Sequence, residues 1–178
     1  MSDFINSNIE TIDQVIEFIE QLSDVEYQYV AMPYIESSIG QHLRHVIDIY
    51  VSVLNSIENK KVDIVDYNNR RRGADVETQQ AIGLIELKQL RSRLQNNQDW
   101  QLESEIKVLT EISLQSHSNQ VFQSNLAREL CFASTHLTHH LALMAVIAKL
   151  NGKKVCSSVG VAPSTATYTR EKKTEALQ

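Results

Sequence analysis

The sequence predicts an all-α fold of four long helices with a small β-hairpin between the third and fourth. Three observations predict it. Apolar residues recur at three- and four-residue spacing along four segments of the 178-residue chain. The chain holds only five Gly and two Pro, too few for a loop-rich or β-sandwich architecture. One stretch, Trp100 to Asn125, instead alternates apolar and polar residues around a polar turn.

The first helix is predicted over residues 8–22, where Ile9, Ile12, Val15, Ile16, Ile19 and Leu22 form one stripe. Asp24 to Ser37 reads as a connection, broken by Pro33 and rich in tyrosine. A second helix runs from about Ser38 to Glu58, capped by Ser37 or Ser38, with Ile39, Val46, Ile49, Tyr50, Val53 and Ile57 on its apolar side. Asn59 to Asp75 is polar and reads as a long loop. A third helix spans about Val76 to Asn97, with an apolar side of Ala81, Leu84, Ile85, Leu87, Lys88 and Leu94. Gly83 within it marks a close helix approach.

In the hairpin, Ile106, Val108 and Ile112 alternate with Glu105, Lys107 and Glu111, and Val121 and Phe122 follow the turn. His117 falls at the tip and should face solvent. A single hairpin is weak alone, so it should lie on the helices or on a partner chain. The fourth helix covers Leu126 to Asn151. Asn125 or Ser124 can cap it, Glu129 suits its first turn, and Gly152 stops it ahead of Lys153 and Lys154. The remainder, to Gln178, reads as an irregular tail that frays from Thr169 on. The whole chain, 1–178, is expected to be a single domain.

Hydrophobic content of 42% and charged content of 22% are those of a soluble globular protein. A net charge of −5 disfavours nucleic-acid binding. No uncharged 18-residue apolar run and no signal peptide is present, so no membrane partner and a cytoplasmic location are expected. Cys131 and Cys156 have no CxxC spacing, and Cys131 reads as a small buried hydrophobe.

The chemistry-bearing residues are histidines. At roughly 100° per residue, His136 and His140 share one face of the fourth helix with Glu129, Phe132, Leu143 and Ile147. His139 lies at that face's edge. Two imidazoles at i and i+4 can hold one divalent ion. Otherwise they are ordinary core or rim histidines, whose ring nitrogens need partners. The second helix carries His42 and His45, and periodicity does not select between them as a third ligand. In the loop, Asp66-Tyr67-Asn-Asn-Arg70-Arg71-Arg72 offers guanidinium forks that match a carboxylate or phosphate. The plainer reading is a solvated basic loop balanced by Asp63, Asp66, Asp75 and Glu77.

The element Ser38-Ile-Gly-Gln-His42-Leu-Arg-His45-Val-Ile-Asp-Ile-Tyr50, the element His136-Leu-Thr-His139-His140 and the helix order together resemble the DinB-like superfamily, the DinB/YfiT-like metalloenzymes. The resemblance covers about residues 8–152. It implies a four-helix bundle of up-down-down-up order, often a homodimer, and a metal site of His45, His136 and His140. His42 and His139 fit its motif less well. Members are linked to thiol-dependent chemistry, including mycothiol-dependent maleylpyruvate isomerase and bacillithiol transferases. The loop Asp66–Arg72 and the stretch Gly160–Thr165 lie outside the shared motif.

The resemblance therefore implies a metal-dependent enzyme acting on a small molecule, with Zn, Ni, Fe or Mn as the ion and a low-molecular-weight thiol as a possible cosubstrate. Three His ligands leave coordination positions open, and the ion would lower the pKa of a thiol or water for transferase- or hydrolase-type chemistry. Arg70, Arg72 and Tyr67 are the candidates for substrate binding, with Arg71 beside them. Glu129 or Asp48 is the candidate to orient a ligating His. No side chain has the pattern of a catalytic nucleophile. The alternative is a non-catalytic, stress-related bundle that binds metal or another ligand. An enzyme should open its site to a polar pocket; a binding module can close it.

Overall fold

Four long helices, α1 (Asp3–Glu20), α3 (Ile39–Glu58), α4 (Gln80–Asn96) and α5 (Leu126–Leu150), are joined by the short α2 (Asp24–Gln28) and followed by α6 (Pro163–Glu175). A three-stranded sheet is formed by β1 (Ile64–Asp66), β2 (Glu105–Glu111) and β3 (Asn119–Asn125). The computed structural model describes residues 3–58, 64–97 and 100–176.

The four long helices bury their stripes against one another. α1 packs on α4 and α5, and α3 packs on the same two. Ile5, Ile12 and Ile19 of α1 meet Leu43, Ile47 and Leu54 of α3, Leu87 and Leu94 of α4, and Leu130, Leu137 and Leu141 of α5 in one core. Each such side chain contributes about 1.5–3 kcal/mol by leaving water. α5 is long and apolar enough to cross a membrane by length and composition alone; here its apolar side faces α3 and α1.

Close approach is set by two glycines. A Cβ on Gly40 would lie 2.1 Å from the Glu77 carbonyl oxygen, and one on Gly83 would lie 2.5 Å from the Tyr27 hydroxyl. Between them Tyr27 is fully buried and donates to the Val76 carbonyl at 2.6 Å. The close approach expected at Gly83 is thus present, made by a tyrosine from α2. The connection Asp24–Ser37 is less irregular than its sequence implies, because Ser23 and Glu26 form a reciprocal cap that starts α2.

The hairpin lies on its own chain's helices. β2 and β3 pair antiparallel from Glu105 opposite Asn125 to Glu111 opposite Asn119. Val65 and Val108 are buried, and Ser52 of α3 donates to the Asp66 carbonyl at 2.9 Å. β3 runs straight into α5. Asn125 caps the helix by accepting from the Arg128 amide at 2.8 Å. The Leu126 and Ala127 amides are taken by Ser104 and Leu102 carbonyls, so the first turn of α5 is tied to the start of β2.

Four expectations are corrected. The predicted loop Asn59–Asp75 contains β1, which pairs parallel to β2 with Ile64 opposite Lys107; residues 59–63 of it lie outside the described residues. Cys131 is exposed, because the helix turns Leu130 and Ala133 inward on either side of it. Ile85 faces solvent, and the buried side of α4 is Gly83, Leu87, Leu90 and Leu94. The tail is not irregular throughout: Pro163 opens α6, where a fixed φ and a missing N–H suit the first helical turn. Gly160 before it has φ +73 and sits where a Cβ would lie 2.5 Å from the Ala142 amide nitrogen, holding the start of the tail against α5.

Candidate metal centre

The packing of α3 on α5 brings five histidines together: His42 and His45 from α3, His136, His139 and His140 from α5. Periodicity explains the placement. Leu137, Leu141 and Met144 lie in the core, and the two histidines one turn apart flank that arc on the side facing α3. His45 Nε2 and His136 Nε2 stand 2.9 Å apart. His42 Nδ1 and His140 Nδ1 also stand 2.9 Å apart. Ring centroids are separated by 4.8 Å for His45 and His140 and by 4.5 Å for His136 and His140.

One ring nitrogen from each of His45, His136 and His140 lies within 4.8 Å of the others. Nitrogens about 2.1 Å from a tetrahedral ion are separated by roughly 3.4 Å, so small ring movements would bring all three onto one ion with a position left open. The donor chemistry fits a divalent transition-metal ion. His45 Nδ1 and His42 Nε2 are buried without a hydrogen-bond partner among the described residues, and each such orphan costs about 1–3 kcal/mol. The rings therefore do not form a self-sufficient hydrogen-bonded core cluster. An ion would give three inward lone pairs a common partner.

Electrostatics keep those lone pairs free. Burial, with the Arg70 charge and His136 adding to it, holds His45 down at about 4. Burial and the neighbouring imidazoles hold His140 at about 3. Burial also lowers His136 and His42, each helped by His139. The rings are neutral at neutral pH, as metal ligation requires.

A stability effect of definite sign follows. With metal chelated, unfolded histidines take up protons below an ordinary value of 6.5, while the folded rings resist until about 4 for His45 and 3 for His140. The unfolded state then binds more protons, so stability is lost as the pH is lowered through that window. We expect the melting temperature of chelator-treated protein to drop steadily from pH 7.5 to 5.5 by calorimetry. A flat profile there would contradict the burial of these rings.

The other predicted residues are dispersed in role. Tyr67 donates to Glu129 at 2.5 Å, and Ser124 donates to the other Glu129 oxygen at 2.5 Å. The Tyr67 ring packs on Phe132, which in turn stacks on His136 at 5.4 Å. Tyr67 thus reaches the centre as part of its wall. Arg70 is exposed, and its charge weighs on His45 and His136. Arg72 is exposed as well. Arg71 instead binds Asp48 at 2.6 Å and Glu86 at 2.8 Å. Neither Glu129 nor Asp48 orients a histidine, correcting that expectation: Glu129 serves Tyr67 and Ser124, and Asp48 serves Arg44 and Arg71. The contact of His42 with His140 was not legible, since spacing along α3 says nothing about the ring it meets on α5.

A helical bundle carrying converging imidazoles from two helices is a histidine-site bundle protein. More specifically, the chain belongs to the DinB family, whose model matches residues 1–172. That match runs into α6, beyond the span of about residues 8–152 that the histidine motif marks. A stretch of 110 residues, 62% of the chain, is 26% identical to FK506-binding protein 5 of Rhizopus delemar, of which it spans 29%. No solved structure matches the chain significantly.

Proposed function

We propose that the protein binds one divalent transition-metal ion through His45, His136 and His140 and acts on a small molecule. The observation that carries this is the convergence of three neutral ring nitrogens from two helices. When bound, the ion supplies Lewis acidity that favours the deprotonated form of a thiol or water in a remaining coordination position. The chain's own residues do the rest. α3 and α5 hold the imidazoles in place. Phe132 and Tyr67 shield one side from water. Arg70, next to an Arg71 held by Asp48 and Glu86, is exposed and its guanidinium suits an anionic group on the substrate. The reaction would be of transferase or hydrolase type, with a low-molecular-weight thiol as one candidate cosubstrate.

The bundle is read as up-down-down-up, the order that membership of the DinB family implies. A cytoplasmic homodimer is the assembly we propose for it.

The alternative is metal binding without turnover. The experiment that decides is metal analysis by mass spectrometry of untagged protein, followed by a screen of low-molecular-weight thiols with electrophiles. Stoichiometric metal with turnover supports the enzyme. Metal without turnover across a broad panel supports the binding protein, and absence of metal rejects both.

A further inference from the structure

Four imidazoles, not three, are linked at the centre, and the fourth has a defined job. The inference rests on the metal-site reading. His42 meets the group through His140, with the two Nδ1 atoms 2.9 Å apart. His42 lies outside the group of three converging nitrogens, so its contact with His140 is a hydrogen bond rather than shared ligation, and two neutral rings in such a bond share one proton: one donates and the other accepts. If His42 donated, His140 would accept at Nδ1 and carry its proton on Nε2, and it could not offer a lone pair from that nitrogen. If His140 donates, its Nε2 lone pair is free to join His45 and His136. Only the second arrangement is compatible with His140 as a ligand through Nε2.

We propose that His42 is a positioning residue: it accepts the Nδ1–H of His140 and so turns the His140 Nε2 lone pair into the metal site. A ligating histidine ordinarily hands its second N–H to a carboxylate, carbonyl or water, which sets its tautomer and ring orientation. Here the two carboxylates that the sequence offered for that job are otherwise engaged, Glu129 by Tyr67 and Ser124 and Asp48 by Arg44 and Arg71. A neutral imidazole takes their place. The tautomer also leaves the His42 Nε2–H buried without a partner among the described residues. A buried orphan donor is destabilising, so packing alone does not account for a histidine at this position.

The test compares wild type, His42→Ala and His42→Asn, the last keeping an acceptor oxygen near the Nδ1 position. Zinc affinity is read by chelator competition, and circular dichroism confirms that each variant is folded. Nitrogen NMR of the zinc-loaded wild type reports which His140 nitrogen is protonated. We expect His42→Ala to weaken zinc binding about 10- to 100-fold, His42→Asn to recover most of that loss, and His140 to be protonated at Nδ1 with zinc on Nε2. Unchanged affinity in His42→Ala overturns the proposal. So does zinc on His140 Nδ1, or a count of four imidazole ligands by X-ray absorption, which would make His42 a ligand. Those outcomes leave the metal site standing; a wild type that binds no zinc removes the site and this role together.

Discussion

His136→Ala is expected to leave the protein without stoichiometric metal. The side chain supplies Nε2 directly opposite His45 Nε2 at 2.9 Å, and removing it reduces three converging donors to two. The loss of affinity should exceed the roughly 10–100-fold that follows from deleting a residue outside the first shell. Mass spectrometry of untagged protein checks it. His117→Ala is the control: that ring is 81% exposed at the hairpin tip and bound to Glu111 at 2.9 Å, so its removal should leave metal content as it was. Equal metal in wild type and His136→Ala would reject the assignment. The variant should stay folded, since the α5 core of Leu137, Leu141 and Met144 is untouched.

Asp48→Ala is expected to cost the most stability. Asp48 is almost fully buried on α3 and accepts from Arg71 Nε at 2.6 Å, from the Arg71 amide at 3.1 Å and from Arg44 at 3.4 Å. Arg44 is equally buried and reaches Glu77 at 2.9 Å, while Arg71 continues to Glu86 on α4. The chain of charges therefore joins α3, the turn after the arginine loop, and α4. Removing its central carboxylate leaves Arg44 with Glu77 alone in the interior and Arg71 with Glu86 alone. Losing hydrogen bonds to charged groups in this way costs about 1.5–3 kcal/mol, and at about 2–4 °C per kcal/mol the melting temperature should fall by roughly 3–12 °C. A loss under about 1 kcal/mol, the scale of exposed pairs, would mean the network is solvated. Because Arg71 anchors the loop, the same variant should also release Arg70 from its place near the histidines.

The parts of the fold legible beforehand are those with local causes. The stripe on α1, the hairpin of β2 and β3 and the cap at Asn125 each depend on residues close together in the chain, and each is present. The i,i+4 spacing of His136 and His140 belongs to the same category. β1 escaped notice because its three residues pair with β2 across about forty positions. Cys131 was misplaced because apolar neighbours in sequence do not say which side of a helix meets a partner.

On its own, the order of residues determined that this chain forms long helices, that one of them carries two imidazoles a turn apart, and that an arginine-rich segment precedes the third long helix. Helical periodicity and capping are short-range effects, so they survive without knowledge of the rest of the chain. Which rings meet was decided only when α3 packed on α5. That packing set His45 against His136 and His42 against His140, bound Arg71 while leaving Arg70 exposed, and gave Glu129 to Tyr67. Those outcomes depend on the rotation of two helices about their axes, which burial of the whole core fixes and no single segment contains.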